Sequence, residues 1–269
     1  MNILKRKLTY TQIIALGFFL IILTGGILLT LPISSRSGEF TPFLNAIFTA
    51  TSATCVTGLV VYDTFTHWSL FGQIVIICMI QIGGIGFMTI ITMLSIFLKR
   101  KIGLNERKLL MQSAGSIQIG GVVALILRII KGTIFFEGIG AILLSIRFIP
   151  EMGFLRGIYN AVFHAVSAFC NAGFDLMGRF EKFSSLTRYS DDILVNLTIM
   201  SLIVIGGIGF IVWSDIIKFK FNFKKYELHS KIVLTATASL IIVGALVFFI
   251  FESQNGVLAN SSVKESILV

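Results

Sequence analysis

Two short stretches place small residues and glycine where main-chain oxygens could be presented to a metal cation. In the first, Thr54 is followed by Cys55, Val56, Thr57 and Gly58; in the second, Phe169 is followed by Cys170, Asn171, Ala172 and Gly173. Extended backbone there would offer successive carbonyl oxygens in place of a cation's hydration shell, as potassium filters do. Gly58 and Gly173 supply the conformational freedom that such a path requires. Asp175, two residues beyond Gly173, and Asp63, beyond Gly58, would concentrate cations at an outer mouth. Side-chain chemistry has less support. His67, His164 and His229 are scattered, and Cys55, Cys78 and Cys170 show no CxxC spacing, so no zinc site, disulfide framework or convergent catalytic centre is expected. The chain does not read as an enzyme.

The elements that must position these loops are membrane helices. The 269 residues are 55% hydrophobic and 13% charged, with mean hydropathy +0.93, against about 25% charged in soluble domains. The formal charge of +9 sits in short Lys/Arg clusters between apolar runs, not on one basic face, so nucleic acid is not an expected partner. Four stretches, 12–31, 69–98, 193–213 and 232–251, are apolar, uncharged and long enough to span. A fifth, 120–149, carries Arg128, Lys131, Glu137 and Arg147; its first part is expected at the interface and its spanning portion at 132–149. The first stretch follows Lys5, Arg6 and Lys7, exceeds a signal-peptide core and has no cleavage site after it, so it is read as retained. Basic residues at 99–108 and 218–231 place those loops and the N-terminus in the cytoplasm, with Asp63, Asp175, Asp191 and Asp192 outside.

The two candidate loops belong to a repeat. Shifted by 115 residues, 45–59 aligns with 160–174 at eight identities in fifteen positions, and the run IGGIGF recurs at 82–87 and 205–210. Each unit reads as a spanning helix, a segment too short to cross, a glycine loop and a second spanning helix. In the first unit Thr41 is expected to cap the short helix and Pro42 to occupy its first position. The helix then aims its partly negative C-terminal end at the loop, which favours a cation. The fold expected is all-α and integral to the membrane, with about five transmembrane helices and two re-entrant pore helices. Its divisions are 1–110 and 111–225 for the two repeats and 226–269 for the start of an incomplete third.

The segments TATSATCVTGL and HAVSAFCNAGFD, each followed by IGGIGF, resemble the Ktr/Trk/HKT potassium transporter superfamily, with the closest likeness to the bacterial KtrB membrane subunits. The likeness runs in register along essentially the whole chain. It implies four helix, pore-loop, helix units around one pore in the cell (inner) membrane. It also implies K+ uptake, sometimes with Na+, through the backbone oxygens of Cys55 to Gly58 and of Cys170 to Gly173. A homodimer, surrounding membrane lipids and a KtrA-like cytoplasmic nucleotide-binding regulatory subunit are the partners it implies. Two of four filter loops occur before Val269, and the gating loop of the third unit does not. A nonconducting fragment is therefore one alternative, and a secondary transporter of another solute, built on inverted repeats, is the other.

Several residues have plainer readings. The glycines of both IGGIGF runs are expected to allow close helix packing rather than to act as hinges. Cys55 and Cys170 are expected as small, reduced side chains behind the loops. His164 is expected to be a packed, hydrogen-bonded group, and Glu137 to pair with Arg128 or Lys131 or to lie near the interface. The triplet Asn260, Ser261, Ser262 matches a glycosylation acceptor, a pattern common by chance.

Overall fold

Residues 9–86, 89, 122–220 and 222–255 are described by a computed structural model. The clusters at 5–7 and 99–108, the far end of the 69–98 stretch and the triplet at 260–262 lie outside the described residues. Helix α1 (Tyr10–Thr30) starts at Thr9, whose hydroxyl accepts the Gln12 amide while the Gln12 side chain accepts the Thr9 amide, a reciprocal capping box. A 3-10 turn, Pro32–Ser34, leads to α2 (Phe43–Thr54), then a short α3 (Thr64–His67) and α4 (Leu70–Ile85), which Ser69 caps through the Gly72 amide. The second unit repeats this order with α5 (Val122–Met152), α6 (Phe154–Phe169) and α7 (Ile193–Gly207), the last capped by Asp192 on the amides of Leu194 and Val195. Helices α8 (Phe210–Phe219) and α9 (Leu228–Asn255) follow. No named β-strand occurs among the described residues; one isolated antiparallel bridge joins Ser35 to Trp68.

Helices α1, α5 and α9 contain windows apolar and long enough to cross a bilayer, α7 and α8 qualify together as a bent pair, and α4 is a shorter apolar helix. At 1.5 Å per residue the 12-residue α2 cannot cross about 30 Å of hydrocarbon. Lipid gives no hydrophobic drive for helices to meet, so small residues that permit close approach decide the packing. The repeat carries them: Ala46, Ala50 and Ala53 of α2 and their counterparts Ala161, Ala165 and Ala168 of α6 are all buried. The i, i+4, i+7 spacing puts each trio on one helix face. Behind α2, the backbone of α1 comes close at Gly26, where a methyl would lie 3.3 Å from Ile47.

Four expectations change. The 193–213 run is not one helix: α7 and α8 meet at 96°, and Gly209 takes φ +87 at the break. The 120–149 run has no turn within its described part: α5 is one continuous helix, with Arg128 donating to Ser214 in an exposed contact and Glu137 accepting from Gln81. Helix α4 stops at Ile85, where Gly86 also takes φ +87. Thr41 does not cap α2, whose N-cap is Pro42 without a side-chain bond; its hydroxyl is hydrogen-bonded to His67 Nε2 at 3.1 Å.

The start of α9 is fastened to α8. Asp215, buried on α8, accepts from the Glu227 amide at 2.9 Å and from the Ser230 hydroxyl at 2.7 Å. The Tyr226 hydroxyl donates to the Lys220 carbonyl and Lys231 Nζ to the Lys224 carbonyl. Beyond Ser230 no described residue of α9 up to Phe251 is buried.

Candidate functional site

Both short helices end in the same way. At the end of α2 the Thr57 amide donates to the Ser52 carbonyl (3.0 Å) and the Val56 amide to the Ala53 carbonyl (3.3 Å); at the end of α6, Ala172 donates to Ser167 (2.8 Å) and Asn171 to Ala168 (3.0 Å). This is the Schellman pattern, which consumes two of the carbonyls a helix end would otherwise leave unpaired and requires a left-handed residue between them. That residue is Val56 at φ 51 in the first unit and Asn171 at φ 58 in the second. Asparagine tolerates this conformation, whereas a β-branched valine rarely adopts it, at a cost of about 1–2 kcal/mol. The motif turns the chain sharply out of each helix and into the glycine.

Gly58 and Gly173 have φ +74 and +71 and lie against each other. A methyl on Gly58 would fall 2.7 Å from the Ala172 carbonyl oxygen and 3.3 Å from Gly173 Cα; one on Gly173 would fall 3.4 Å from Gly58 Cα. The two loops, 115 positions apart in sequence, thus meet at their glycines with the C-terminal ends of α2 and α6 behind them. Among the described residues no hydrogen bond is donated to the carbonyl oxygens of Cys55, Val56, Thr57 and Gly58, nor to those of Cys170, Asn171, Ala172 and Gly173. Carbonyls at membrane depth without a protein donor are available to water or to a cation. Side chains brace the turns instead: Thr57 Oγ1 donates to Ser52 Oγ at 3.0 Å, and Ser167 Oγ donates to the Phe174 carbonyl at 2.6 Å.

The first glycine of each IGGIGF run presses on the last carbonyl of a short helix. A methyl on Gly83 would lie 2.0 Å from the Thr54 oxygen, and one on Gly206 1.8 Å from the Phe169 oxygen. Gly84 abuts Cys170 of the other unit, its would-be methyl 2.4 Å from Sγ, so α4 of the first unit backs the loop of the second. Close packing therefore accounts for these three positions, while Gly86 and Gly209 are helix breaks. Cys170 is buried here, whereas Cys55, likewise expected to pack behind its loop, is exposed.

The acid in the middle of α5 has an unexpected partner. Gln81 Nε2 donates to both carboxylate oxygens of Glu137, at 3.0 and 3.2 Å, and Gln81 Oε1 lies 4.0 Å from the Cys170 sulfur. Gln81→Leu strands a half-buried carboxylate and is expected to cost roughly 1–3 kcal/mol. The double variant Gln81→Leu/Glu137→Leu removes both polar groups and should lose less. Thermal unfolding in detergent reads the order; a double variant less stable than the single one contradicts it.

The sequence 9–235 matches the TrkH family, described as cation transport protein. This chain belongs to the TrkH family. It is 44% identical to the potassium/sodium uptake protein NtpJ of Enterococcus hirae over 94% of this chain and 54% of that protein. It is also 44% identical to the Ktr system potassium uptake protein B of Bacillus subtilis, over 93% of this chain and 54% of that one. Identity to the Ktr system potassium uptake protein B of Vibrio alginolyticus is 38% over the same shares, 93% and 54%. The TrkH-family chain thus spans about half the length of the curated relatives it matches.

Around the loops of this TrkH-family chain the two acids differ. Asp175 is partly buried beside a cavity of about 280 Å³ lined also by Asn171, Gly173 and Phe174. Burial pushes its carboxyl above the ordinary carboxylate range, against the opposing hydrogen bond from the Met177 amide. Asp63 is buried, and its oxygens accept from the amides of Thr66 (2.8 Å) and Phe183 (3.0 Å), so it caps α3 and clamps the segment between α6 and α7 of the second unit. His164 is packed and fully bonded: Nδ1–H donates to the Asn160 carbonyl at 2.7 Å, and Nε2 accepts the Leu176 amide at 3.3 Å. Both ring nitrogens are thereby committed in one neutral tautomer that holds the chain leaving the second loop. The bracing pair Ser52 and Ser167 went unassigned in the sequence, although their identity across the repeat was a signal. Gln81, one of two amides in an apolar run, was another.

Proposed function

We propose that the chain supplies two of the pore-loop units of a potassium uptake system of the cell membrane. One observation carries this reading: two short helices end in matching turns that bring Gly58 and Gly173 together, with the neighbouring carbonyls free. The backbone oxygens of Cys55, Val56, Thr57 and Gly58, and of Cys170, Asn171, Ala172 and Gly173, would replace water around K+ as it passes. The partial negative ends of α2 and α6 favour the cation, and Asp175 attracts it to the mouth. Asp63 contributes through the clamp that holds the outer segments together.

Relatives named for potassium uptake, and in one case for potassium and sodium, support K+ as the substrate with Na+ as a second ion. Two loops make half of a fourfold ring, so conduction belongs to the complete assembly. That assembly is a homodimer with a KtrA-like cytoplasmic nucleotide-binding subunit, and the N-terminus is cytoplasmic by the distribution of Lys and Arg. Parallel units fit a channel-like pore better than the inverted repeats of many secondary transporters. The test is Rb+ uptake by the native-length protein in cells stripped of their own K+ uptake systems. Restored growth at low K+ and Rb+ entry are expected; normal membrane insertion with neither overturns the proposal.

A further inference from the structure

At the start of α6 a cavity of about 590 Å³ is lined by Arg36, Arg156 and Arg179. Among the described residues none of the three is paired with a carboxylate; the ion pairs found there belong to Arg147, with Glu151 and Asp192. Arg36 is held in place, its Nε donating to the Trp68 carbonyl at 3.2 Å and its guanidinium lying 4.0 Å above the Phe65 ring. Arg156 stands in the first turn of α6, a 16-residue helix whose N-cap, Gly153, offers no side-chain bond to the first amides. Three fixed or nearby positive charges and an uncapped helix start make a strong anion field.

A second observation is independent of charge. Asn160 lines the same cavity and is 3% exposed; its Nδ2 donates to the Arg156 carbonyl, but its buried Oδ1 has no partner. A buried acceptor left unpaired is rare and calls for a donor. The occupant that the three arginines call for is an anion, and the unpaired oxygen marks an unsatisfied spot in the cavity wall. The rim adds an apolar element: Leu155 is 81% and Leu70 60% exposed, at the very starts of α6 and α4.

We propose that this cavity binds the headgroup of an anionic phospholipid, with the phosphate on the arginines and the acyl chains over Leu70 and Leu155. A site of this kind stabilises the folded protein in proportion to its occupancy. The test uses the intact protein in nanodiscs of phosphatidylcholine, of phosphatidylcholine with phosphatidylglycerol, and of phosphatidylcholine with millimolar inorganic phosphate. The unfolding temperature should rise only with phosphatidylglycerol. Arg156→Gln/Arg179→Gln leaves the tethered Arg36 in place and should weaken lipid retention roughly ten- to a hundredfold, abolishing most of the rise. Lys182→Gln/Arg188→Gln removes equal charge from residues that do not line the cavity and should keep it. An equal rise with phosphate alone overturns the lipid assignment. So does a rise undiminished in the Arg156/Arg179 variant, or lost equally in the Lys182/Arg188 variant.

Discussion

Gly58→Ala is expected to cut K+ uptake by about tenfold or more with the protein still in the membrane, because two penalties of about 1–2 kcal/mol each fall on the same loop. The first is conformational: at φ +74 an alanine crowds its own carbonyl. The second is a collision, since the new methyl would sit 2.7 Å from the Ala172 oxygen, a backbone atom that no rotamer change can move. Relief requires one loop to retreat, and the carbonyls proposed to bind K+ retreat with it. Gly173→Ala carries the first penalty at φ +71 but meets only Gly58 Cα, at 3.4 Å, so it should be the milder of the two. Rb+ influx normalised to surface abundance reads the difference. Near-native influx by Gly58→Ala, or a larger defect in Gly173→Ala, contradicts the geometry.

The second large effect is on folding. Gly206→Ala and Gly83→Ala place a methyl 1.8 and 2.0 Å from the last carbonyl of a re-entrant helix, again against backbone. Overpacking of this kind costs about 1–3 kcal/mol, and the yield of monodisperse protein and its unfolding temperature should both fall. Gly138→Ala is the matched control. That residue lies inside α5 with nothing within 4 Å of its would-be methyl, so alanine's better helix propensity should leave stability unchanged or raise it slightly. Equal losses at Gly138 and Gly206 would show that the contact with the short helix is not what matters.

What the sequence made legible is what the backbone demands of side chains directly. Glycine at 58 and 173 answers a positive φ, the alanine trios answer a close helix approach, and the first glycine of each IGGIGF run answers a carbonyl in contact. These demands recur in both units, so the repeat exposes them. Val56 and Asn171 share one backbone shape without sharing a residue type, and the shape comes from the two bonds of the Schellman turn, which no side chain announces. Partners remote in sequence were equally hidden: Gln81 for Glu137, His67 for Thr41 and Phe183 for Asp63. A local capping rule applied to Thr41 lost to a long-range bond, as such rules do where tertiary contacts compete. The bend between α7 and α8 was concealed because hydropathy stays high across it, and only the conformation of Gly209 marks it.

That bend has a mechanical result. Helix α8 leaves α7 at Gly209, and at its midpoint Asp215 grips the amide of Glu227 and the hydroxyl of Ser230. The long helix beyond is bare along its apolar length, so its bearing is set at that grip. The pair is built as a crank and its shaft: any change in the angle between α7 and α8 at Gly209 would carry the root of α9 with it.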